Sequence, residues 1–502
     1  MNARNLTPRR PAVHALAAAC AMALAAAAAA TSPAFAATPG VDAPPLPGPA
    51  VALAIPPIVV RTLDNGLTVI VARRTATPLV TMSVLVRAGA ERDAAGHAGQ
   101  ANLTATLLTR GTTRAGHAID STGIAREAET LGGDLQAGSG FGASSVALTV
   151  TTPHAADALS LLADVVRRPT FPADEVERAL AEEQDTLRLR MSSPGQVANL
   201  AARRAFWGDS PYGAGETPAS LARLTREDLQ RFHAEQYRPD AVAVVFAGDI
   251  DEATAMSLAR RDFGDWRAPA TPRAAAPIAA PATQAPVLLS IDLGGVGQSG
   301  VAVAAPYVPL GSPERYVAQV TNAVLGGGYS ARLNQEVRIK RGLAYGAGSR
   351  ADSQPAGGMM VARVQTNNVT AGQVVTLVRD EIARIGQVAP SAEEMAARQA
   401  TLTGEFGREL DTTASFATLV GTQWVRGLPM TDLAQYVPRV MAVTGDQVRA
   451  YAAATWKPET LRIVVAGDQS KSAEGLKGTV PVAQMRAVKL VDVDFEKATL
   501  AK

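Results

Sequence analysis

Five histidines, His14, His97, His117, His154 and His233, are the only imidazoles in the chain. A helix-borne metal hydrolase centre uses two imidazoles within one helical turn, beside a carboxylate that acts on the metal's water. Here the nearest two histidines beyond the leader, His97 and His117, are 20 residues apart, and residues 287–502 have none. No HxxEH or HxxxH pair occurs anywhere, and His97 falls in a loop. The single cysteine, Cys20, sits in the leader, so thiol chemistry and disulfides are not expected beyond it. Gly138-Ser139-Gly140-Phe141-Gly142 has the spacing of a dinucleotide loop, but it leads into a strand pattern instead of opening a helix, so no phosphate cradle follows. Gly326-Gly327-Gly328 reads as a turn.

Composition narrows the functional classes. The 502 residues are 47% hydrophobic and 19% charged, which supports a packed core and two or three domains. Three of the 48 basic residues, Arg4, Arg9 and Arg10, lie at the start of the chain, before any of the 46 acidic ones. The remainder is close to neutral, which argues against a nucleic-acid binder with a basic surface. Aromatics at 4% disfavour a base-stacking or carbohydrate platform. The three arginines, the Ala-rich run Val13 to Ala30 and the Ala34-Phe35-Ala36 box have the order of a cleavable signal peptide. The sequence therefore predicts residues 1–36 to be a leader, export, most simply to a periplasm, and no membrane span after processing.

The elements that must position any site come in two related sets. Leu224 to Asp249 and Val443 to Asp468 align without a gap at a constant offset of 219, with Thr225/Thr444, Pro239/Pro458 and the closing Ala-Gly-Asp in register. Each copy has an N-cap threonine, an amphipathic helix stopped by proline, and a β-rich apolar run. A duplicated domain accounts for this better than chance. Arg267 to Pro286, with five prolines, reads as an extended linker between the copies. The expected organisation is a flexible lead-in (37–57), a first domain (58–266), the linker (267–286), a second domain (287–490) and a tail (491–502). The fold class is α+β: two homologous tandem domains, each an antiparallel-rich sheet with helices packed on one face. Strands are predicted at 67–71, 80–86, 145–151, 301–305, 359–365 and 461–466. Helices are predicted at 100–108, 155–167, 173–190, 313–325, 371–385 and 392–408.

Five stretches carry a resemblance: Leu63 to Val71, Gly132 to Val150, Arg168 to Asp185, Phe206 to Gly213 and Ser330 to Ser349. Their order and spacing resemble the pitrilysin/insulinase family of zinc peptidases, in the two-domain branch that includes the mitochondrial processing peptidase. The last stretch is the most specific, resembling that branch's RLxxxVRxxRGLAY signature. Active members carry an inverted motif, His-x-x-Glu-His, on a helix. Aligning Arg110-Gly111-Thr112 with the family's Lys-Gly-Thr places Asn102, Ala105 and Thr106 where His, Glu and His belong. An alanine cannot relay a proton, and neither an amide nor a hydroxyl is a useful zinc ligand. The family's third ligand, a later glutamate, falls on Glu183, with Glu182 as the neighbouring register. The expectation is a vestigial acid and no zinc or other cofactor in this chain.

The second half departs less from the family. There an arginine and a tyrosine seven residues apart reach the scissile carbonyl of a peptide held between two half-shells, and Arg338 and Tyr345 match them. The resemblance thus implies a subunit that assists in trans, with zinc supplied by a partner chain bearing an intact HxxEH motif and a peptide as substrate. The other reading is a stand-alone binding or scaffold protein of the envelope, which gives no reason to keep the Arg/Tyr pair.

Overall fold

The computed structural model describes residues 53–273 and 287–500. The expected leader, most of the lead-in and the linker beyond 273 lie outside the described residues; residues 267–273 contain no helix or strand.

The first half contributes strands β1 (Ile58–Thr62), β2 (Thr68–Arg73), β3 (Leu79–Val86), a small β4–β5 hairpin (Gly111–Arg114, His117–Asp120), β6 (Gln136–Ser139), β7 (Ser144–Thr151) and β8 (Val242–Gly248). All but the hairpin form one sheet in the order β1-β2-β8-β3-β7-β6. The second half contributes β9 (Leu288–Asp292), β10 (Gln298–Tyr307), β11 (Ala344–Gln354), β12 (Gly357–Asn367), β13 (Arg462–Gly467) and β14 (Met485–Lys489), ordered β11-β12-β10-β13-β9-β14. Pairing is mostly antiparallel, with β2–β8, β9–β13 and β9–β14 parallel.

The duplication is visible in the structure. Helices Arg226–Gln236 and Gly445–Thr455 each start with a capping box, on Thr225 and Thr444. The 219-residue offset also extends beyond the segments that revealed it. Helix Ala173–Ser192 matches Ala392–Glu409, and Pro194–Trp207 matches Thr413–Val425, each pair starting 219 residues apart.

The central strands β8 and β13 are buried along their whole length. A strand sends alternate side chains to opposite faces, so complete burial means that both faces are covered. On β8, Val242, Val244 and Phe246 join a core with the first half's own helices, such as Ala155–Arg167 and Glu252–Phe263. Ala243, Val245 and Ala247 face Phe416, Ala417 and Val420 of helix Thr413–Val425, which comes from the second half. Reciprocally, Ala302, Ala304, Val464 and Ala466 of the second sheet pack on Val197, Ala201 and Phe206 of helix Pro194–Trp207. Each sheet therefore carries its own helices on one face, as expected, while the other face takes a helix from the opposite half. Small residues permit the close approach. A Cβ on Gly300 of β10 would lie 2.4 Å from the Pro194 carbonyl oxygen. A buried Thr81–Thr413 hydroxyl contact of 2.8 Å joins the sheet to the helix in the other exchange.

The described residues 54–273 and 287–500 cluster as one compact unit. The expected tail is packed: Val493, Phe495 and Leu500 are buried against helix Pro194–Trp207, and Glu496 pairs with Arg223 at 3.0 Å. Among the described residues no helix is long and apolar enough to cross a membrane.

Candidate functional site

The helix that would carry the metal motif runs Gln100–Leu107. Its N-cap, Gly99, has φ 104°, a left-handed conformation that favours glycine, and a Cβ there would also meet Leu221 at 2.9 Å. Since glycine has no capping side chain, Asp93 caps from the preceding loop. Its two carboxylate oxygens accept from Gly99 N (2.9 Å) and Ala101 N (2.8 Å), where the helix dipole also favours an anion. Burial outweighs those bonds and pushes the Asp93 carboxyl up to about 7.

Asn102 projects from this helix towards helix Ala173–Ser192. Its Nδ2 donates to Glu216 Oε1 at 3.2 Å and to Glu183 Oε2 at 3.5 Å. Arg190, two turns beyond Glu183, closes the cluster with Nη1 2.8 Å from Glu216 and 3.4 Å from Glu183. Two carboxyl groups thus share one cation, and the Glu183 carboxyl is pushed up to about 7, by burial first and then by Glu216 beside it. A cavity of about 470 Å³ opens here, lined by Asn102, Asp93, Arg190, Asn199, Phe141 and Glu216 among others.

Of the residues singled out by sequence, the structure brings together Asn102 and Glu183. Glu182 is exposed and outside the cluster, Ala105 is fully buried in the helix packing, and Thr106 is half-buried with its carbonyl accepting from Thr109. Asp93, Arg190 and Glu216 were missed. Glu216 lies in a loop just before the N-cap Thr217, and no spacing links it to position 102. These residues do not fit zinc. The Asn102 nitrogen spends its hydrogens on carboxylates, Ala105 offers a methyl group, and a guanidinium lies where a cation would compete. Among the described residues no three His, Cys, Asp or Glu side chains converge to hold a metal. What remains is a proton-sharing acid pair held by an amide and an arginine.

The second candidate set lies in the other half. A short helix, Arg332–Asn334, runs into a π-helical turn, Gln335–Ile339, a distortion frequent at functional sites. Arg338 sits on that turn. Its neighbours are committed to carboxylates: Arg332 to Glu394, and both Lys340 and Arg341 to Glu336. Arg338 has no carboxylate partner among the described residues. Its Cζ lies 4.8 Å from the Tyr345 ring centre and 5.0 Å from that of Tyr329. Tyr345 is 90% exposed and Tyr329 66%, so neither ring stabilises the fold through burial. Tyr345 stands where the β11–β12 register slips, between Ala344 and Ala347, and a bulge of this kind re-aims a side chain. The rings orient the guanidinium without neutralising it. The cavity at Asn102 is not lined by Arg338.

Comparison with known proteins gives this arrangement its context. The family described as Insulinase (Peptidase family M16) matches residues 68–212, and the one described as Peptidase M16 inactive domain matches 223–402. A protein named as an uncharacterized zinc protease of Mycobacterium tuberculosis is 30% identical over 298 residues, which is 58% of this chain and 66% of that one. A zinc protease of Streptomyces coelicolor, likewise named uncharacterized, is 24% identical over 400 residues, 78% of this chain and 85% of its own. A crystal structure of a peptidase M16 inactive domain from Pseudomonas fluorescens superposes with TM-score 0.74 at 26% identity, covering 82% of this chain and 98% of that one. A protease from Helicobacter pylori has the same fold, with TM-score 0.77 at 17% identity, covering 82% of this chain and all of the other.

Proposed function

The chain belongs to the insulinase family of peptidases, and from that premise we propose that it is the zinc-less subunit of a two-chain endopeptidase. A partner of the same family with an intact HxxEH motif holds the metal, and this chain supplies Arg338, Tyr345 and half of the peptide chamber. Attack on a peptide carbonyl places negative charge on its oxygen, and fixed donors aimed at that oxygen lower the barrier. A guanidinium and a phenol are such donors. Among the described residues no carboxylate pairs with Arg338, two rings orient it, and Tyr345 is exposed to solvent. An exposed arginine–tyrosine pair that the fold itself does not use is the observation that carries the reading. A scaffold protein has no need of it.

The acid cluster around Asn102 holds an amide and an arginine where the family's active members hold metal ligands, and the chain carries no zinc in this reading. The leader-like pattern of Arg4, Arg9, Arg10 and Ala34 to Ala36 supports an exported, periplasmic protein. The test is reconstitution. This chain, the zinc-bearing partner and their mixture are assayed on an internally quenched peptide. Turnover only in the mixture, with a one-to-one complex by gel filtration, is expected. Full activity of the partner alone would overturn the proposal, and so would cleavage by this chain alone.

A further inference from the structure

Helix Pro194–Trp207 divides its faces between two environments. Val197, Ala201 and Ala205 pack on the second sheet. Gln196, Asn199 and Arg203, spaced i, i+3 and i+7 and so stacked along one face, line the cavity of about 470 Å³ beside Asn102.

Arg203 is held in place by neutral groups alone. Its Nε donates to the Tyr212 carbonyl at 2.5 Å, and its Cζ lies 5.5 Å from the centre of the Phe141 ring, which itself packs on Tyr212 with centres 5.1 Å apart. One N–H and one face of the guanidinium are thereby used, and the remaining N–H groups have no carboxylate partner among the described residues. Burial holds this guanidinium below its usual pKa, and the acid whose charge offsets that most, Asp352, is paired with Arg426 at 3.5 Å. The other charged groups of the cavity are already engaged. Glu216 pairs with Arg190 at 2.8 Å and accepts from Asn102, while Asp93 caps helix Gln100–Leu107. The side chains of Gln196 and Asn199 have no hydrogen-bond partner among the described residues. Leu187, Met191 and Leu200 give the same cavity an apolar wall.

A half-used guanidinium, two unengaged amides and an apolar wall together select for a carboxylate joined to an apolar group. An amide both donates and accepts, so Gln196 and Asn199 also suit a peptide group next to that carboxylate. We propose that this first-half cavity binds the C-terminal residue of a peptide, with Arg203 as counter-charge to the terminal carboxylate and an apolar side chain against Leu187 and Leu200. The inference does not depend on the proposed function, because it concerns binding to this chain alone and needs neither metal nor partner.

Calorimetric titration tests it with the whole processed chain and three probes: acetyl-Ala-Leu with a free carboxylate, acetyl-Ala-Leu-amide, and 4-methylpentanoate. The amide keeps the shape of the acid and loses its charge, and 4-methylpentanoate keeps the carboxylate and an apolar chain without a peptide group. The free acid is expected to bind at least about tenfold more tightly than the amide, and at least about tenfold more tightly than 4-methylpentanoate. Arg203→Gln is expected to bring the acid and the amide to within about twofold of each other. Equal affinity of the unaltered chain for acid and amide, or no binding at millimolar concentration, overturns the proposal, and this comparison stands even if the variant misfolds. A folded Arg203→Gln chain that keeps the full preference for the acid overturns the assignment to Arg203 and leaves that residue a structural tether of the Tyr212 loop. 4-Methylpentanoate binding as tightly as the dipeptide acid overturns the assignment to a peptide terminus.

Discussion

Replacing Glu183 by glutamine should stabilise the protein at pH 8 and leave it nearly unchanged at pH 4. In the folded chain this carboxyl is pushed from an ordinary 4.5 to about 7, by burial and by Glu216 beside it, with Arg190 offsetting only part. The folded state therefore holds its proton to higher pH than the unfolded chain. Wild-type stability is fully present below about pH 4.5 and falls as pH rises towards 7, where the folded carboxyl finally ionises. The span of about 2.5 pH units sets a ceiling of roughly 3.4 kcal/mol, at 1.36 kcal/mol per unit. The side chain stays partly open to solvent, at 15%, and screening reduces the expected gain to about 1–2 kcal/mol. Glutamine keeps an acceptor for Asn102 and can donate to Glu216, as the protonated acid does. Urea unfolding of wild type and Glu183→Gln at the two pH values reads the difference. A variant no more stable than wild type at pH 8, or equally stabilised at both, would refute the account of this cluster.

Phe416→Ala, at a side chain 1% exposed against the first sheet, should cost about 3–5 kcal/mol and destabilise both halves in one transition, because the exchanged helices tie them together. Separate melting of the halves by differential scanning calorimetry would contradict this. Elemental analysis of the purified chain should find zinc far below one per chain. Tyr345→Phe should leave the melting temperature within about 1 °C, since an exposed hydroxyl without a partner contributes little to stability. A shift of several degrees would assign that tyrosine a structural role.

Local signals made much of the fold legible. The N-cap threonines at 225 and 444, the prolines that stop the helices after them, and the continuous apolar runs of β8 and β13 identify their elements because each signal acts within a few residues. Helix Ala155–Arg167 has its predicted bounds, and most other elements differ only at their ends. The exchange of helices was not legible. Val197, Ala201 and Phe206 mark an apolar face on Pro194–Trp207, but a face does not say which sheet covers it, and the partner strands β10 and β13 lie far along the chain, in the other half. Packing of the C-terminal segment escaped for the same reason: Phe495 and Leu500 are isolated apolar residues in a polar stretch. At the candidate site, Asn102 and Glu183 could be paired because the resemblance to the family implies a shared site for those two positions. Asp93 and Glu216 act from loops, where position follows from tertiary contacts and not from a period.

Turnover by the reconstituted pair carrying Arg338→Lys tests the central claim most directly. Lysine keeps the charge but replaces a planar fork with a point ammonium, so an oxyanion donor is lost while the electrostatics of assembly are retained. With complex formation verified by gel filtration, kcat is expected to fall by roughly 10²–10³, the usual consequence of removing one such donor. A kcat within about twofold of the wild-type pair, in a correctly assembled complex, would contradict a role for this chain in the chemistry and leave it as a scaffold.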